Sequence, residues 1–155
     1  MKLAIITTSD TRTIEQDEAG HALAAQIELR GWFLAQHIVV TDELTDIKAA
    51  LIYATDNLKV DVILSCGGTG LGPRDLTPEA TLSVAHRQVP GIAEAIRQLS
   101  LEITRRSMLS RALAAQRNTS LIINLPGSKK AALECFEIVA DQLEHAVEMM
   151  AGKGH

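Results

Sequence analysis

The feature that most restricts the fold of this chain is a glycine-rich segment between a predicted strand and a predicted helix. Val60 to Leu64 is an apolar run, and Ser65 to Thr81 follows it as S-C-G-G-T-G-L-G-P-R-D-L-T-P-E-A-T. We expect the helix to begin with Thr77 as its N-cap and Pro78 in the first helical position. A glycine loop between a strand and a helix binds anions because free backbone N–H groups and the helix N-terminus face the ligand. The segment therefore predicts a phosphate-binding loop.

This glycine loop matches neither of the two common nucleotide-binding patterns. It lacks the Gly-Lys-Ser/Thr ending of a P-loop, and its glycines do not form G-x-G-x-x-G after a first strand. The glycines alone are equally compatible with a flexible turn. Arg74 and Asp75 favour a function, because a cation and a carboxylate at a helix entrance have no role in an apolar core. Arg74 could stabilise a phosphate, or it could form a salt bridge with Asp75 or Glu79.

Along the chain, apolar runs typical of strands alternate with amphipathic segments that have the period of helices. The predicted strands are Lys2 to Thr7, Phe33 to Val40, Val60 to Ser65 and Ser120 to Leu125. The predicted helices are Asp17 to Arg30, Thr45 to Asn57, Pro78 to Ala85, Ile92 to Ile103, and one long helix from the N-cap Ser128 to Gly152. Ser107 to Ala115 is ambiguous and is compatible with one or two helical turns. This order predicts a three-layer α/β fold, in which helices cover both faces of a mostly parallel sheet, and a single domain of residues 1–155.

Composition argues against several classes of function. The net charge is −4 and only 3% of residues are aromatic, so the chain offers neither a basic stripe nor a stacking platform for nucleic acid. No apolar run approaches the ~20 residues of a membrane span. The N-terminal run is too short for a signal peptide, and we expect a cytoplasmic protein without a membrane anchor. The two cysteines form no disulfide framework, and the five histidines lack the spacing of metal ligands. Cys66 could be a nucleophile, but packing in the core is the commoner role of such a thiol.

Polar loops follow all four predicted strands. They are Thr8 to Arg12, Thr41-Asp42, Cys66 to Asp75 and Asn124 to Ser128. If the strands are parallel, these loops meet at the carboxyl edge of the sheet, where ligands bind. Asp42 and Asp75 could then hold Mg²⁺ together with substrate phosphates, although each is also compatible with a turn or capping role. The last loop is a second strand-to-helix junction that could bind an anion.

Two motifs resemble the signature of the molybdenum cofactor biosynthesis family, in particular of its molybdopterin adenylyltransferases and of the matching G domains of the plant enzyme and gephyrin. The first runs from G-G-T-G through P-R-D to T-P-E-A-T, and the second combines M-L-S-R-A at Met108 to Ala112 with Leu121 to Ser128. The resemblance extends from Ile5 to about Met150. The chain departs from the family at Ala114 to Asn118, which has fewer glycines than usual, and Asp10 to Gln16 does not align clearly.

The resemblance implies a role for each matching residue. Asp42, Asp75 and Ser110 would be catalytic, and the two aspartates would hold Mg²⁺; taken alone, Ser110 is also compatible with a cap or turn hydroxyl. The residues that would line the nucleotide and molybdopterin pocket are Gly67, Gly68, Thr69, Gly70, Arg74, Pro126, Gly127 and Ser128. The resemblance further implies ATP and molybdopterin as substrates, adenylylated molybdopterin and pyrophosphate as products, a homotrimer, and a molybdate-insertion protein as a partner.

Two other hypotheses remain beside the enzyme. A protein of the same family could hold molybdopterin as a carrier without adenylylating it, or it could serve as a structural module, as the trimeric gephyrin domain does. The presence of Asp42, Asp75 and Ser110 favours the enzyme, and the short chain without an appended domain argues against a scaffold.

Overall fold

The computed structural model describes residues 1–153; Gly154 and His155, which end the predicted domain, lie outside this range. The strands are β1 (Lys2–Thr8), β2 (Phe33–Val40), β3 (Val62–Cys66), β4 (Arg87–Gln88), β5 (Ala114–Arg117) and β6 (Ser120–Leu125). The helices are α1 (Glu18–Leu29), α2 (Leu44–Ile52), α3 (Thr77–Val84), α4 (Pro90–Leu101), α5 (Lys129–Val139) and α6 (Leu143–Met150). Short 3₁₀ turns occupy Ile14–Gln16, Arg105–Leu109 and Ala140–Gln142, and a π-helical turn at Tyr53–Asn57 extends α2.

The six strands form one sheet in the order β2-β1-β3-β6-β5-β4. The four strands β2, β1, β3 and β6 are parallel, whereas β5 runs antiparallel to β6 and β4 antiparallel to β5. In register, Ile5 of β1 lies opposite His37 of β2 and Leu64 of β3, and Leu64 lies opposite Ile123 of β6. The predicted mostly parallel sheet is therefore confirmed.

Apolar side chains form a separate core on each face of the sheet. Leu3, Ile5 and Leu64 point to one face, where Leu23 of α1 and Phe136 of α5 cover them. On the opposite face, Ala4, Ile6 and Ile63 pack against Ile47 of α2 and Ala80 of α3. Because successive strand residues face opposite ways, uninterrupted apolar runs are what a sheet covered on both faces requires. The predicted three-layer α/β/α arrangement is confirmed.

The two antiparallel strands are a difference from the sequence prediction. The ambiguous segment Ser107 to Ala115 contains the end of a 3₁₀ turn and the start of β5, and it forms no α-helix. A tight turn at Asn118, whose φ is +52°, joins β5 to β6. Asparagine adopts this left-handed conformation more readily than most residues, and its side chain donates to the carboxylate of Asp56, far away in the chain, at 3.0 Å.

Two details of the predicted helices are wrong. The C-terminal helix is not continuous, since a 3₁₀ turn at Ala140–Gln142 separates α5 from α6. Thr77 is not an N-cap, because α3 begins at this residue and its side chain is buried within the first turn. Ser128 does cap α5, with its hydroxyl accepting from the Ala131 N–H at 3.4 Å. None of the helices within residues 1–153 combines the length and the apolar character that crossing a bilayer requires.

The carboxyl ends of the four parallel strands lie at one edge of the sheet and are tied to one another. The Ser9 N–H donates to the carbonyl oxygen of Val40 at 2.9 Å, which joins the end of β1 to the end of β2. The Gly67 N–H donates to the carbonyl oxygen of Leu125 at 3.0 Å, which joins the end of β3 to the end of β6. The loops that leave these strands therefore share one side of the molecule, as predicted.

Candidate active site

Loops from all four parallel strands line a polar pocket of about 410 Å³. We call it the polar pocket; its lining residues are Thr8, Ser9, Thr11, Arg12, Asp42, Gly67, Gly68, Thr69, Gly70, Asp75, Pro126 and Gly127. Most of the residues predicted from sequence are thus brought together, including both carboxylates. Arg74 and Ser128 do not line it.

A second, mostly apolar pocket of about 460 Å³ adjoins the polar pocket. It lies between α4, the 3₁₀ turn Arg105–Leu109 and the start of α5, and Ser110 lines it. Thr69, Gly70 and Pro126 line both pockets and so form their common wall. The predicted site residues therefore divide between two adjoining pockets, with Ser110 in the apolar pocket and the two aspartates in the polar pocket.

The glycine loop requires glycine at its first two positions. Gly67 and Gly68 have φ of +94° and +62°, a region that other residues rarely adopt. A Cβ on Gly67 would lie 2.8 Å from the carbonyl oxygen of Thr8, and one on Gly68 would lie 2.4 Å from Oγ1 of Thr77. The backbone of the loop therefore approaches the ends of β1 and α3 more closely than any side chain would allow.

Several N–H groups of this loop remain available to a ligand. The backbone–backbone hydrogen bonds of residues 1–153 use the N–H of Gly67 and of Thr77, but not those of Gly68, Thr69 or Gly70. These three residues line the polar pocket. Consecutive peptide N–H groups in a loop of this kind form a concave site for an anion.

Asp42 belongs to a carboxylate pair that the sequence did not indicate. The Asp10 N–H donates to Oδ2 of Asp42, and the Asp42 N–H donates to Oδ1 of Asp10, both at 3.0 Å. Partial burial raises the pKa of the Asp42 carboxyl; the hydrogen bond from the Asp10 N–H opposes this shift, and the like charge of Asp10 adds to it. This reciprocal pair connects the loop after β1 with the loop after β2.

Arg74 is paired with carboxylates from both of these loops. Its guanidinium donates to Asp10 at 3.0 and 2.9 Å and to Glu43 at 2.7 Å. Neither Asp75 nor Glu79, the two salt-bridge partners considered from sequence, pairs with it among the described residues. Arg74 therefore ties the glycine loop to the loops after β1 and β2.

The carboxylate of Asp75 turns back toward its own loop. Oδ2 accepts a hydrogen bond from the Gly72 N–H at 2.8 Å, and the Asp75 N–H donates to the carbonyl oxygen of Gly72 at 3.0 Å. This turn presents the half-buried carboxylate to the polar pocket on the loop that also carries the free N–H groups.

Ser110 follows the 3₁₀ turn Arg105–Leu109, and it is half-buried in the wall of the apolar pocket. Its hydroxyl oxygen accepts from the Ala112 N–H at 3.3 Å, as in the turn role considered from sequence. A single weak contact of this kind leaves the hydroxyl hydrogen available to a ligand.

Cys66 and Asp17 are buried polar groups whose surroundings indicate a role in the fold and not in the reaction. Cys66 is fully buried at the end of β3, and burial raises the pKa of its thiol well above the usual range, which disfavours the thiolate that a nucleophile needs. Asp17 is also fully buried and accepts from Oγ1 of Thr7 and from Nε2 of His37, each at 2.7 Å. Burial alone would raise the pKa of Asp17, but these bonds and one from the Gly20 N–H outweigh it and lower the pKa.

Comparison with known proteins is consistent with this geometry. A family model described as a probable molybdopterin binding domain matches residues 4–145. A molybdopterin adenylyltransferase from Helicobacter pylori is 34% identical over 154 residues, which cover 97% of this chain and 88% of that protein. One from Haemophilus influenzae is 37% identical over 92% of this chain and 74% of its own length.

Solved structures agree with the sequence comparison. The molybdopterin biosynthesis enzyme MoaB from Thermus thermophilus superimposes with a TM-score of 0.89 at 40% identity, covering 98% of this chain and 97% of that one. The match extends over both pockets and both faces of the sheet, and this chain belongs to the family of probable molybdopterin binding domains.

Proposed function

We propose that this chain is a molybdopterin adenylyltransferase of molybdenum cofactor biosynthesis. The observation that carries the proposal is the pair of adjoining pockets, in which a polar pocket with two carboxylates shares a wall with an apolar pocket that contains Ser110. Relatives named molybdopterin adenylyltransferase match nearly the whole chain. The substrates are ATP and molybdopterin.

The two pockets suit the two kinds of surface that these substrates present. Phosphate groups fit the polar pocket, where the N–H groups of Gly68, Thr69 and Gly70 are available. A ring system of one of the substrates fits the apolar pocket, which is lined by apolar residues such as Ile96, Ile103 and Leu109. Because the pockets share a wall, phosphates bound in one lie next to a ring bound in the other.

The reaction needs correct placement more than it needs covalent help from the protein. An oxygen of the terminal phosphate of molybdopterin forms a bond to the α-phosphorus of ATP. The bond between this phosphorus and the oxygen that bridges it to the β-phosphorus breaks, and pyrophosphate leaves. The glycine loop holds phosphate oxygens, and the Ser110 hydroxyl donates a hydrogen bond from the wall of the apolar pocket. Alignment of two reactants and stabilisation of developing charge by fixed groups account for most of such rate enhancements.

Asp42 and Asp75 are suited to hold Mg²⁺ in the polar pocket. Magnesium is commonly bound through one or two carboxylates and substrate phosphates, and its remaining positions hold water. Residues 1–153 contain no group of three or more His, Cys, Asp or Glu that could hold a metal ion, so the donor set fits a shared site better than a cage of protein ligands. Bound there, Mg²⁺ would neutralise phosphate charge and polarise the α-phosphate.

The test is pyrophosphate release from ATP by purified protein, measured with and without molybdopterin and with and without Mg²⁺. Release that requires molybdopterin and the metal supports adenylyl transfer. Tight molybdopterin binding without any release would instead support the carrier hypothesis. If the protein binds neither substrate, the proposed function is wrong.

We also propose a homotrimer that acts in the cytoplasm and passes its product to a molybdate-insertion protein. Large apolar side chains are exposed around the apolar pocket, among them Leu71, Met108 and Leu109 at 53 to 67%. Large apolar side chains that are exposed beside one another are typical of surfaces that bind other proteins. Light scattering of the purified protein should give three times the mass of one chain, and a monomer would contradict the trimer.

A further inference from the structure

Arg111 makes an unusual number of contacts at the boundary of the two pockets. Its backbone N–H donates to the carbonyl oxygen of Thr69 at 2.9 Å, and its Nε donates to the carbonyl oxygen of Gly70 at 2.7 Å. Nη2 donates to the carbonyl oxygen of Asp75, and Nη1 pairs with the carboxylate of Glu79. One residue therefore contacts both ends of the loop 69–75 and the first turn of α3.

The geometry of these contacts is specific to arginine. A guanidinium is planar and offers five N–H donors in a fixed fork, so it can bond to acceptors in two directions at once. A lysine ammonium is a single point at the end of a flexible stem. It could reach Gly70 or Asp75, but it could not span both in the same fixed geometry.

Arg111 also follows Ser110 directly in the chain. Ser110 lines the apolar pocket, whereas Asp75 lines the polar pocket. The contacts of Arg111 with Thr69, Gly70 and Asp75 thus join the segment that carries the serine to the loop that carries the aspartate. On the other side of this loop, Arg74 makes the corresponding attachment to Asp10 and Glu43.

We infer that Arg111 is a positioning residue that holds Ser110 and Asp75 in fixed relative positions across the two pockets. The inference rests on the proposed function. Arg111 does not need to touch either substrate, because its donors are used by protein carbonyls and by Glu79. Its loss should leave each pocket formed but allow the loop 69–75 to move relative to Ser110.

The test compares Arg111→Lys and Arg111→Gln with a matched control, Arg117→Gln. Arg117 also joins a carboxylate, that of Asp56 at 2.6 Å, to a backbone carbonyl, that of Val84 at 2.9 Å. Unlike the loop residues that Arg111 contacts, neither of these partners lines either pocket. The control therefore measures the general cost of losing an arginine that bridges two elements. For each variant, kcat, the KM for each substrate, the Tm, and hydrogen exchange of the peptide spanning 69–75 are measured.

We expect both Arg111 variants to lower kcat by about tenfold to a hundredfold, since small misplacements of reacting groups have effects of this size. The KM for ATP and for molybdopterin should change by less than about threefold, because the groups that line the pockets remain. Hydrogen exchange within 69–75 should become faster, and added methylguanidinium should restore part of the activity of Arg111→Gln. Arg117→Gln should show a similar change of Tm with kcat unchanged.

Glu79→Gln provides a second test that keeps the arginine. This variant removes the charge partner of Arg111, and it should lower kcat less than the Arg111 variants do. In the double variant with Arg111→Lys, kcat should be little lower than in Arg111→Lys alone. If the Arg111 variants do not fold, this variant decides the question. The inference is overturned if folded Arg111 variants keep the wild-type kcat, or if exchange within 69–75 does not change. An inactive wild-type protein would refute the proposed function, while the exchange experiment would still test the attachment of the loop.

Discussion

Substitution of Asp75 separates the charge of its carboxylate from its structural role. In Asp75→Asn the side-chain oxygen can still accept the hydrogen bond that the Gly72 N–H gives to Oδ2 at 2.8 Å. The acceptor loses its charge, and a hydrogen bond to a charged group contributes about 1.5–3 kcal/mol against about 1 kcal/mol for a neutral one. We therefore expect a loss of about 1 kcal/mol in the free energy of unfolding, which lowers the Tm by about 2–4 °C in a chain of this length.

The effect on catalysis should be much larger than the effect on stability. Removal of one group that stabilises charge in a transition state typically lowers kcat by about 10²–10³. Asp75→Asn should show a loss of this size in molybdopterin-dependent pyrophosphate release, with molybdopterin binding retained in a direct titration. Asp75→Ala should lose a similar factor in kcat but more stability, because it removes the acceptor of the Gly72 N–H as well as the charge.

Asp141→Asn serves as the matched control, because Asp141 is an exposed aspartate that lines neither pocket. It should leave both kcat and Tm unchanged. Wild-type turnover by Asp75→Asn would show that the carboxylate charge plays no part in the reaction. A loss of kcat in Asp75→Ala but not in Asp75→Asn would assign Asp75 to loop geometry alone.

Three further predictions concern the surroundings of the site. Gly68→Ala should lower the free energy of unfolding by about 2–3 kcal/mol in urea titrations, because it combines a left-handed backbone with a Cβ 2.4 Å from Thr77 Oγ1. The control Gly91→Ala should not destabilise the protein, since a Cβ at this position has no atom within 4 Å. Asp17 has a lowered pKa in the folded state. Its charge therefore stabilises the fold above about pH 4, the pKa of the unfolded chain, and this stabilisation is lost as the pH falls through the folded pKa. In Asp17→Asn, the urea midpoint should fall less steeply below about pH 4 than in the wild type. Cys66→Ala should keep wild-type turnover, and the native thiol should not react with a thiol reagent at pH 8 until the protein unfolds; rapid labelling would contradict the assigned burial.

The sequence predicted the parallel part of the fold because each strand there carries its own signal. Lys2–Thr8 and Ser120–Leu125 are apolar, β-branched runs that a sheet covered on both faces requires, and the amphipathic segments between the strands supplied the helical layers. Convergence of the four loops followed from parallel strand direction, and the structure confirms it. The spacing of apolar residues was therefore sufficient to predict these strands and helices.

The antiparallel strands could not be predicted in this way. Ala114–Arg117 reads A-A-Q-R, a sequence with weak strand propensity, and it becomes a strand because it pairs with β6 across the turn at Asn118. Asn118 was the one local signal, since asparagine is common in tight turns. The pairing itself is a tertiary effect that outweighs local preference.

The contacts that organise the site were also beyond the reach of local patterns. Arg74 lies 64 residues from its partner Asp10, and Arg111 lies 41 residues from Gly70. From sequence, Arg74 had salt-bridge candidates only within five positions, and both were wrong. The contacts of long side chains on loops depend on which distant segments the fold brings near them. A sequence motif can therefore identify such a residue without showing what it contacts.

The polar pocket contains two carboxylates, whereas Arg74 and Arg111 beside it are paired with groups of the protein itself. Asp42 and Asp75 face a pocket proposed to bind polyphosphate, and like charges repel strongly where water is partly excluded. Arg74 is paired with Asp10 and Glu43, so it offsets charges beside the pocket and is not free to bind phosphate in this arrangement. In the proposed function, the attraction for phosphate would come from the loop N–H groups, from Arg12, which lines the pocket, and from a divalent cation held by the two aspartates. The proposed site would need a fixed spacing of its two carboxylates. The bonds of Arg74 to Asp10 and Glu43 and of Arg111 to the carbonyl oxygens of Gly70 and Asp75 tie together the loops that surround the polar pocket.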